Sequence, residues 1–148
     1  LYWQITDLKK LTRGLLLLQT YNEESEVLKA ATSSHYRGFF DSELAMRKTL
    51  LFPPFALLAK LSLKGKREDI VEQKAQQIFE NLTAELPIVI GPYRPAFSQK
   101  KPKYNIILKI PVISYHLAQR EKAVDKIRPF LLTIPRDWQI EIEPDSLN

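Results

Sequence analysis

The chain has 148 residues, 45% of them apolar and 26% charged, enough for one domain that buries a core. It lacks cysteine, which excludes disulfides and thiolate metal sites, and its two histidines, His35 and His116, are too far apart to suggest a histidine zinc site. The net charge is +5 at pH 7, and no apolar run approaches the roughly 20 residues that a membrane span needs.

Leu15–Thr20 follows Gly14 as a short apolar run and predicts a buried strand. Residues 23–51 predict one or two helices. Acids (Glu23, Glu24, Glu26) open the stretch and bases (Arg47, Lys48) close it, as the helix dipole favours, with Gly38 at the join. Pro53–Pro54 ends that helix, because proline donates no hydrogen bond and disfavours helix in the residue before it. Phe55, Leu57, Ala59, Leu61 and Leu63 then alternate with Ala56, Leu58, Lys60, Ser62 and Lys64, a strand with one buried face. Gly65 turns the chain. Residues 67–86 carry Ile70, Val71, Ala75, Ile78, Phe79 and Leu82 at helical spacing. Ile88–Ile90 predicts a strand stopped by Gly91–Pro92, and residues 93–102 a loop or a strand that ends in one. Tyr104, Ile106, Leu108 and Ile110 alternate with Lys103, Asn105, Ile107 and Lys109 in a further strand. Residues 114–128 predict a helix with Leu117, Val124 and Ile127 inward, kinked or ended by Pro129. Trp138–Glu143 is a last alternating strand.

From Phe55 onward the order is strand, helix, strand, strand, helix, strand. This is the split βαβ order of an α+β, ferredoxin-like βαββαβ domain. Two helices would cover one face of a four-stranded sheet whose first and third strands are central. The open face would show Lys60, Lys64, Lys103, Asn105 and Lys109, with Glu141 and Glu143 on an edge strand and Lys60 able to pair with either acid. Those residues give no aromatic platform of the kind on which RNA-recognition motifs stack bases.

Charge is concentrated. Residues 91–136 hold ten bases against two acids, Glu121 and Asp125, which suggests a polyanionic partner. The densest point is Gln99-Lys100-Lys101-Pro102-Lys103, with Tyr104 behind it and Arg94 and Arg136 extending it. Lysine is a point charge without a planar fork, so it suits backbone contact better than base readout. Glu141 and Glu143 share a strand face, but surface acids near lysines read as salt bridges. Trp3 and Trp138 read as packing residues. No G-x-x-x-x-G-K-[ST], G-x-G-x-x-G, G-x-S-x-G or H-E-x-x-H occurs, so neither nucleotide hydrolysis nor covalent catalysis is expected of these residues.

Gln19-Thr20-Tyr21-Asn22, Tyr36-Arg37-Gly38-Phe39-Phe40, Glu43-Leu44-Ala45-Met46-Arg47 and Leu51-Phe52-Pro53-Pro54-Phe55 occur in that order. Gly91-Pro92, Pro95-Ala96, Tyr104–Lys109 and Ile140–Leu147 follow. Together they resemble the primosomal protein N′ family, the replication-restart DNA helicases PriA. The resemblance implies a piece of a longer bacterial protein, which the initial Leu1 also suggests: residues 1–21 as the remnant of a second helicase lobe, 22–52 as a helical connector, and 53–148 as the family's C-terminal domain, similar to ribosomal protein S10. It implies a cytoplasmic 3′→5′ helicase whose ATP, magnesium and zinc sites lie upstream, with no cofactor in this chain. The family's Gly-Arg-Ala-Gly-Arg core, whose arginines reach the ATP phosphates, has no counterpart in Gln4–Arg13. That leaves either a foreign segment or a parent without ATP-driven unwinding.

The implied partners are forked or branched DNA, gripped through the basic loop, and other primosome proteins. Single-stranded DNA-binding protein is a further one. In relatives an arginine and a glutamine hold its tail; here the aligned positions are Ile113 and Leu117, and Gln119 and Arg120 take the role only with a register shift. The alternative is an RNA- or ribosome-associated S10-like domain, which has no reason to carry the Gln19-Thr20 strand or the Arg47–Pro54 run.

Overall fold

A computed structural model of the chain describes residues 1–33, 36–96, 101–113 and 116–147. The chain divides into two compact units, Leu1–Thr49 and Leu50–Asn148.

The first unit is helical. α1 (Tyr2–Leu11), α2 (Glu26–Ser33) and α3 (Tyr36–Thr49) gather around Tyr2, Ile5, Ala30 and Ala31, with Leu16, Val27, Leu28 and Phe39 packed against them. Lys9, in the last turn of α1, donates to the carbonyls of Ala31 at 3.1 Å and Thr32 at 3.0 Å. A cation thus satisfies carbonyls at the C-terminal end of α2. Two expectations change here. Leu15–Thr20 is not a strand, because it has no ladder partner; Leu15 and Leu17 are 80% and 81% exposed while Leu16 packs inward. Gly38 lies inside α3, which begins at Tyr36, and so does not join two helices.

The second unit is mixed α+β. β1 (Ala56–Lys64), α4 (Glu68–Glu85), β2 (Val89–Tyr93), β3 (Lys103–Pro111), α5 (Leu117–Thr133) and β4 (Trp138–Ile142) follow in order. The four strands form one antiparallel sheet in the order β2-β3-β1-β4, so the first and third are central, as expected from the order of strands and helices. Leu57, Ala59, Leu61 and Leu63 of β1 and Ile106, Leu108 and Ile110 of β3 meet Val71, Ala75 and Leu82 of α4 and Ala123 and Ile127 of α5 in one core.

Three local expectations are corrected. β2 does not stop at Gly91 but runs on to Tyr93. It absorbs the Gly91–Pro92 step as a bulge between Ile90 and Tyr93, where proline's missing donor leaves no ladder bond to lose. α5 continues past Pro129 to Thr133, because Phe130 and Leu131 still pack on the core and offset the bond that proline removes. Leu117 points outward, 69% exposed.

The largest correction concerns the sheet face away from the helices. It is not open. Lys60 is 4%, Ser62 3%, Asn105 0% and Lys109 8% exposed. Lys109 Nζ donates to the Leu50 carbonyl at 2.7 Å and sits 3.9 Å from the Phe52 ring centroid. Lys60 Nζ donates to the Ser146 carbonyl at 2.7 Å, and Asn105 Nδ2 to the Leu147 carbonyl at 3.3 Å. Segments on either side of the βαββαβ core therefore cover this face and supply the acceptors that its buried donors require.

Candidate nucleic-acid interface

Antiparallel pairing decides which residues meet. β1 ends where β3 begins, with Lys64 opposite Lys103, and β4 begins beside them, with Trp138 opposite Leu63. β2 ends beside Asn105 at Tyr93. The connections at this end of the sheet therefore bring together Lys64 and Lys66, Arg94, Lys101 and Lys103, and Arg136. A backbone bond from Gly65 N to the Pro102 carbonyl, 3.1 Å, ties the β1–α4 turn to the approach of β3. Added at Gly65, a Cβ would collide with the Val71 side chain, so glycine lets this turn close.

The acids at this end are largely committed. Glu68 pairs with Arg94 at 2.6 Å, Asp69 with Arg67 at 2.5 Å, Asp137 with Lys74 at 2.8 Å and Glu141 with Lys60 at 2.9 Å. Among the described residues, no acid lies within ion-pair distance of Lys64, Lys66, Lys101, Lys103 or Arg136. Lys64, Lys66, Lys101 and Arg136 are exposed and Lys103 is half-buried. Burial holds the Lys103 ammonium below the usual lysine range, and the like charges of Lys60 and Lys64 push the same way. Burial is the largest of these causes, and Glu141 partly offsets the repulsion from the two lysines.

The sequence-derived residues fare differently. Lys101, Lys103 and Arg136 meet at one end of the sheet; Lys100 and Gln99 lie outside the described residues. Arg94 is there too, bridged to Glu68. Tyr104 is corrected: its ring is a core residue, 8% exposed, so it offers no stacking surface. Burial raises its phenol above the usual range, helped by Glu72 and Glu68. Lys64 and Lys66 were not assigned to the basic tip. Their signal was present, since they flank the Gly65 turn, but only the β1–β3 register places them beside Lys101.

At the other proposed site, Gln119 and Arg120 stand in the first turns of α5. Arg120 forms an ion pair with Glu143, so the two residues anchor the end of β4 to α5. Glu141 and Glu143 are thus both engaged with cations, as the salt-bridge expectation for them holds. Trp138 is in the core, but Trp3 is 60% exposed, its ring 5.4 Å from Tyr2 and 5.5 Å from Tyr36. Among the described residues no group of three or more His, Asp or Glu could hold a metal ion, and no helix is long and apolar enough to cross a membrane.

No family model matches the chain. Individual relatives do. The replication restart protein PriA of Borreliella burgdorferi is 29% identical over 120 residues, which is 78% of this chain and 18% of that protein. The PriA of Thermotoga maritima is 28% identical over 76% of this chain and 15% of the relative. For the PriA of Treponema pallidum the figures are 27%, 91% and 20%. The chain spans a fifth or less of the length of these curated relatives. Alignments that cover most of the sequence thus make the chain similar to a portion of the replication restart proteins PriA.

Proposed function

We propose that residues 50–147 are a DNA-backbone-binding module of a replication-restart helicase, of ferredoxin-like, S10-like fold. The observation that carries this is the end of the sheet where Lys64, Lys66, Lys101, Lys103 and Arg136 converge without acid partners among the described residues. The βαββαβ order with β3 and β1 central supports the fold, and the likeness to PriA supports the DNA. Four of these five cations are lysines, which favour phosphate contact over base readout, as recognition of fork shape rather than sequence requires. ATP and zinc find no ligands here: there is no cysteine and no phosphate-cradling glycine loop. In this reading the module contributes grip and positioning, and any ATP-driven activity of a parent protein would reside outside it. Other primosome proteins and single-stranded DNA-binding protein are further partners in this reading, the latter at Gln119 and Arg120, where Glu143 would have to yield Arg120.

The test is binding of the chain to forked DNA, plain duplex and structured RNA across a salt series. Three or four phosphate contacts give a slope of log affinity against log salt of about −3 to −4. Reversing Lys100, Lys101 and Lys103 to glutamate should weaken forked-DNA binding at least tenfold while the melting transition is retained. Equal affinity of the triple variant and the parent at moderate salt would sink the proposal, and preference for RNA would replace DNA with a ribonucleoprotein role.

A further inference from the structure

The sheet face away from α4 and α5 carries a donor row that the chain fills with its own backbone. Ser62 Oγ donates to Asn105 Oδ1 at 2.8 Å, which fixes the amide with Nδ2 free to donate, and Nδ2 reaches the Leu147 carbonyl at 3.3 Å. The Tyr93 hydroxyl donates to the same carbonyl. Lys60 Nζ reaches the preceding carbonyl, Ser146, at 2.7 Å. Two successive carbonyl oxygens are therefore held by an ammonium, an amide and a phenol from three strands.

These are the groups that hold phosphate oxygens elsewhere. The row is also continuous with the basic end. In register, Lys60, Ser62 and Lys64 face Ile107, Asn105 and Lys103, so all six side chains share one face, and Lys64 and Lys103 stand two residues beyond the Ser62–Asn105 pair. The covering segment is short and partly solvated. After Glu143, whose N–H bonds the Leu58 carbonyl at 2.8 Å, Asp145 and Ser146 are exposed and Leu147 is half-buried. Partly buried hydrogen bonds to its carbonyls hold it, and so short and so little covered a segment opens locally without global unfolding.

The geometry points to a second phosphate-accepting subsite on this face, made by Lys60, Asn105 and Tyr93 and closed by residues 144–147 acting as a strap. With the strap lifted, the three donors extend the Lys64–Lys103 end into one row along the sheet. The strap's carbonyls stand in for phosphate oxygens, so strap and polyanion exclude each other. By linkage, DNA that occupies the row must favour the lifted strap by the same factor. The inference rests on the nucleic-acid reading above and assigns it a gate.

The test compares the intact chain, a chain ending at Pro144 and the intact chain carrying Leu147→Gly, which loosens the strap and leaves the three donors in place, each titrated with forked DNA across a salt series. The shortened chain should bind at least fivefold tighter at moderate salt, with a slope steeper by about 1, one phosphate more. Lys60→Gln in the shortened chain should cancel that gain, and Leu147→Gly should move the intact chain part of the way. A shortened chain that melts cooperatively and binds no better than the intact one overturns the strap. If the shortened chain does not melt cooperatively, unchanged affinity of Leu147→Gly overturns it instead. When the intact chain binds through Lys101 and Lys103 and shortening adds nothing, the strap alone fails; when neither chain binds DNA, the reading on which it rests fails with it.

Discussion

Gly91 shows how one residue sets the edge of the sheet. Its φ is +124°, a conformation that side chains rarely adopt, and a Cβ built there would lie 2.8 Å from the Asn105 carbonyl oxygen and 3.3 Å from Ile106 Cα. Both obstacles are backbone of a central strand and cannot step aside. Gly91→Ala is therefore expected to destabilise the fold by about 1–3 kcal/mol, read from the urea midpoint. A midpoint unchanged from the parent would show that β2 rearranges instead. The sequence marks Gly91–Pro92 correctly as punctuation, but its sense is legible only with β3 alongside: a stop and a bulge look alike until the partner strand is known. Tyr104 teaches the converse. Its alternation with Ile106 and Leu108 already assigns it to the core, and its nearness to three lysines outweighed that pattern.

At the scale of elements, the strands and the two long helices of the second unit follow from period-2 and period-3.6 patterns, because each pattern is enforced by a single buried face. The sheet's other face was not legible. Lys60, Asn105 and Lys109 read as solvated, yet their acceptors come from 86, 42 and 59 residues away in the chain. No local period encodes a partner at that distance. The failed strand at Leu15–Thr20 has a similar cause, since an apolar run forms a ladder only where another strand is available. The Lys60–Glu141 pair did lie within reach of cross-strand reasoning, and its environment makes it testable. The Lys60 side chain is 5% and that of Glu141 34% exposed. Removing the acid's charge leaves a buried ammonium with neutral acceptors only, whereas removing the base leaves a carboxylate that water can reach. Glu141→Gln should accordingly cost about 1–3 kcal/mol, more than Lys60→Met. Chemical denaturation of the two variants decides it, and the reverse ranking would mean that Lys60 relaxes to solvent by displacing residues 144–147.

For the second unit as a whole, the perturbed groups set how stability responds to alkali. Burial lowers Lys109 below its ordinary 10.5, and burial with the charges of Lys60 and Lys64 lowers Lys103. The folded state thus holds these protons less tightly than the unfolded state. Their penalty is fully present below the folded pKa and is relieved as pH rises from there to 10.5. Tyr104 acts in the opposite sense. Burial, then Glu72 and Glu68, raise it above 10.0, so the unfolded phenol ionises first and stability is lost as pH climbs beyond 10.0. The parent should therefore gain stability as the lysines are relieved, with gain and loss opposed between 10.0 and 10.5, and lose it beyond 10.5. Tyr104→Phe removes only the losing contribution, and its urea midpoint should hold or keep rising over the interval where the parent's falls. Parallel pH curves for the two proteins would contradict this, and would locate the alkaline limit in groups other than the phenol between β3 and α4.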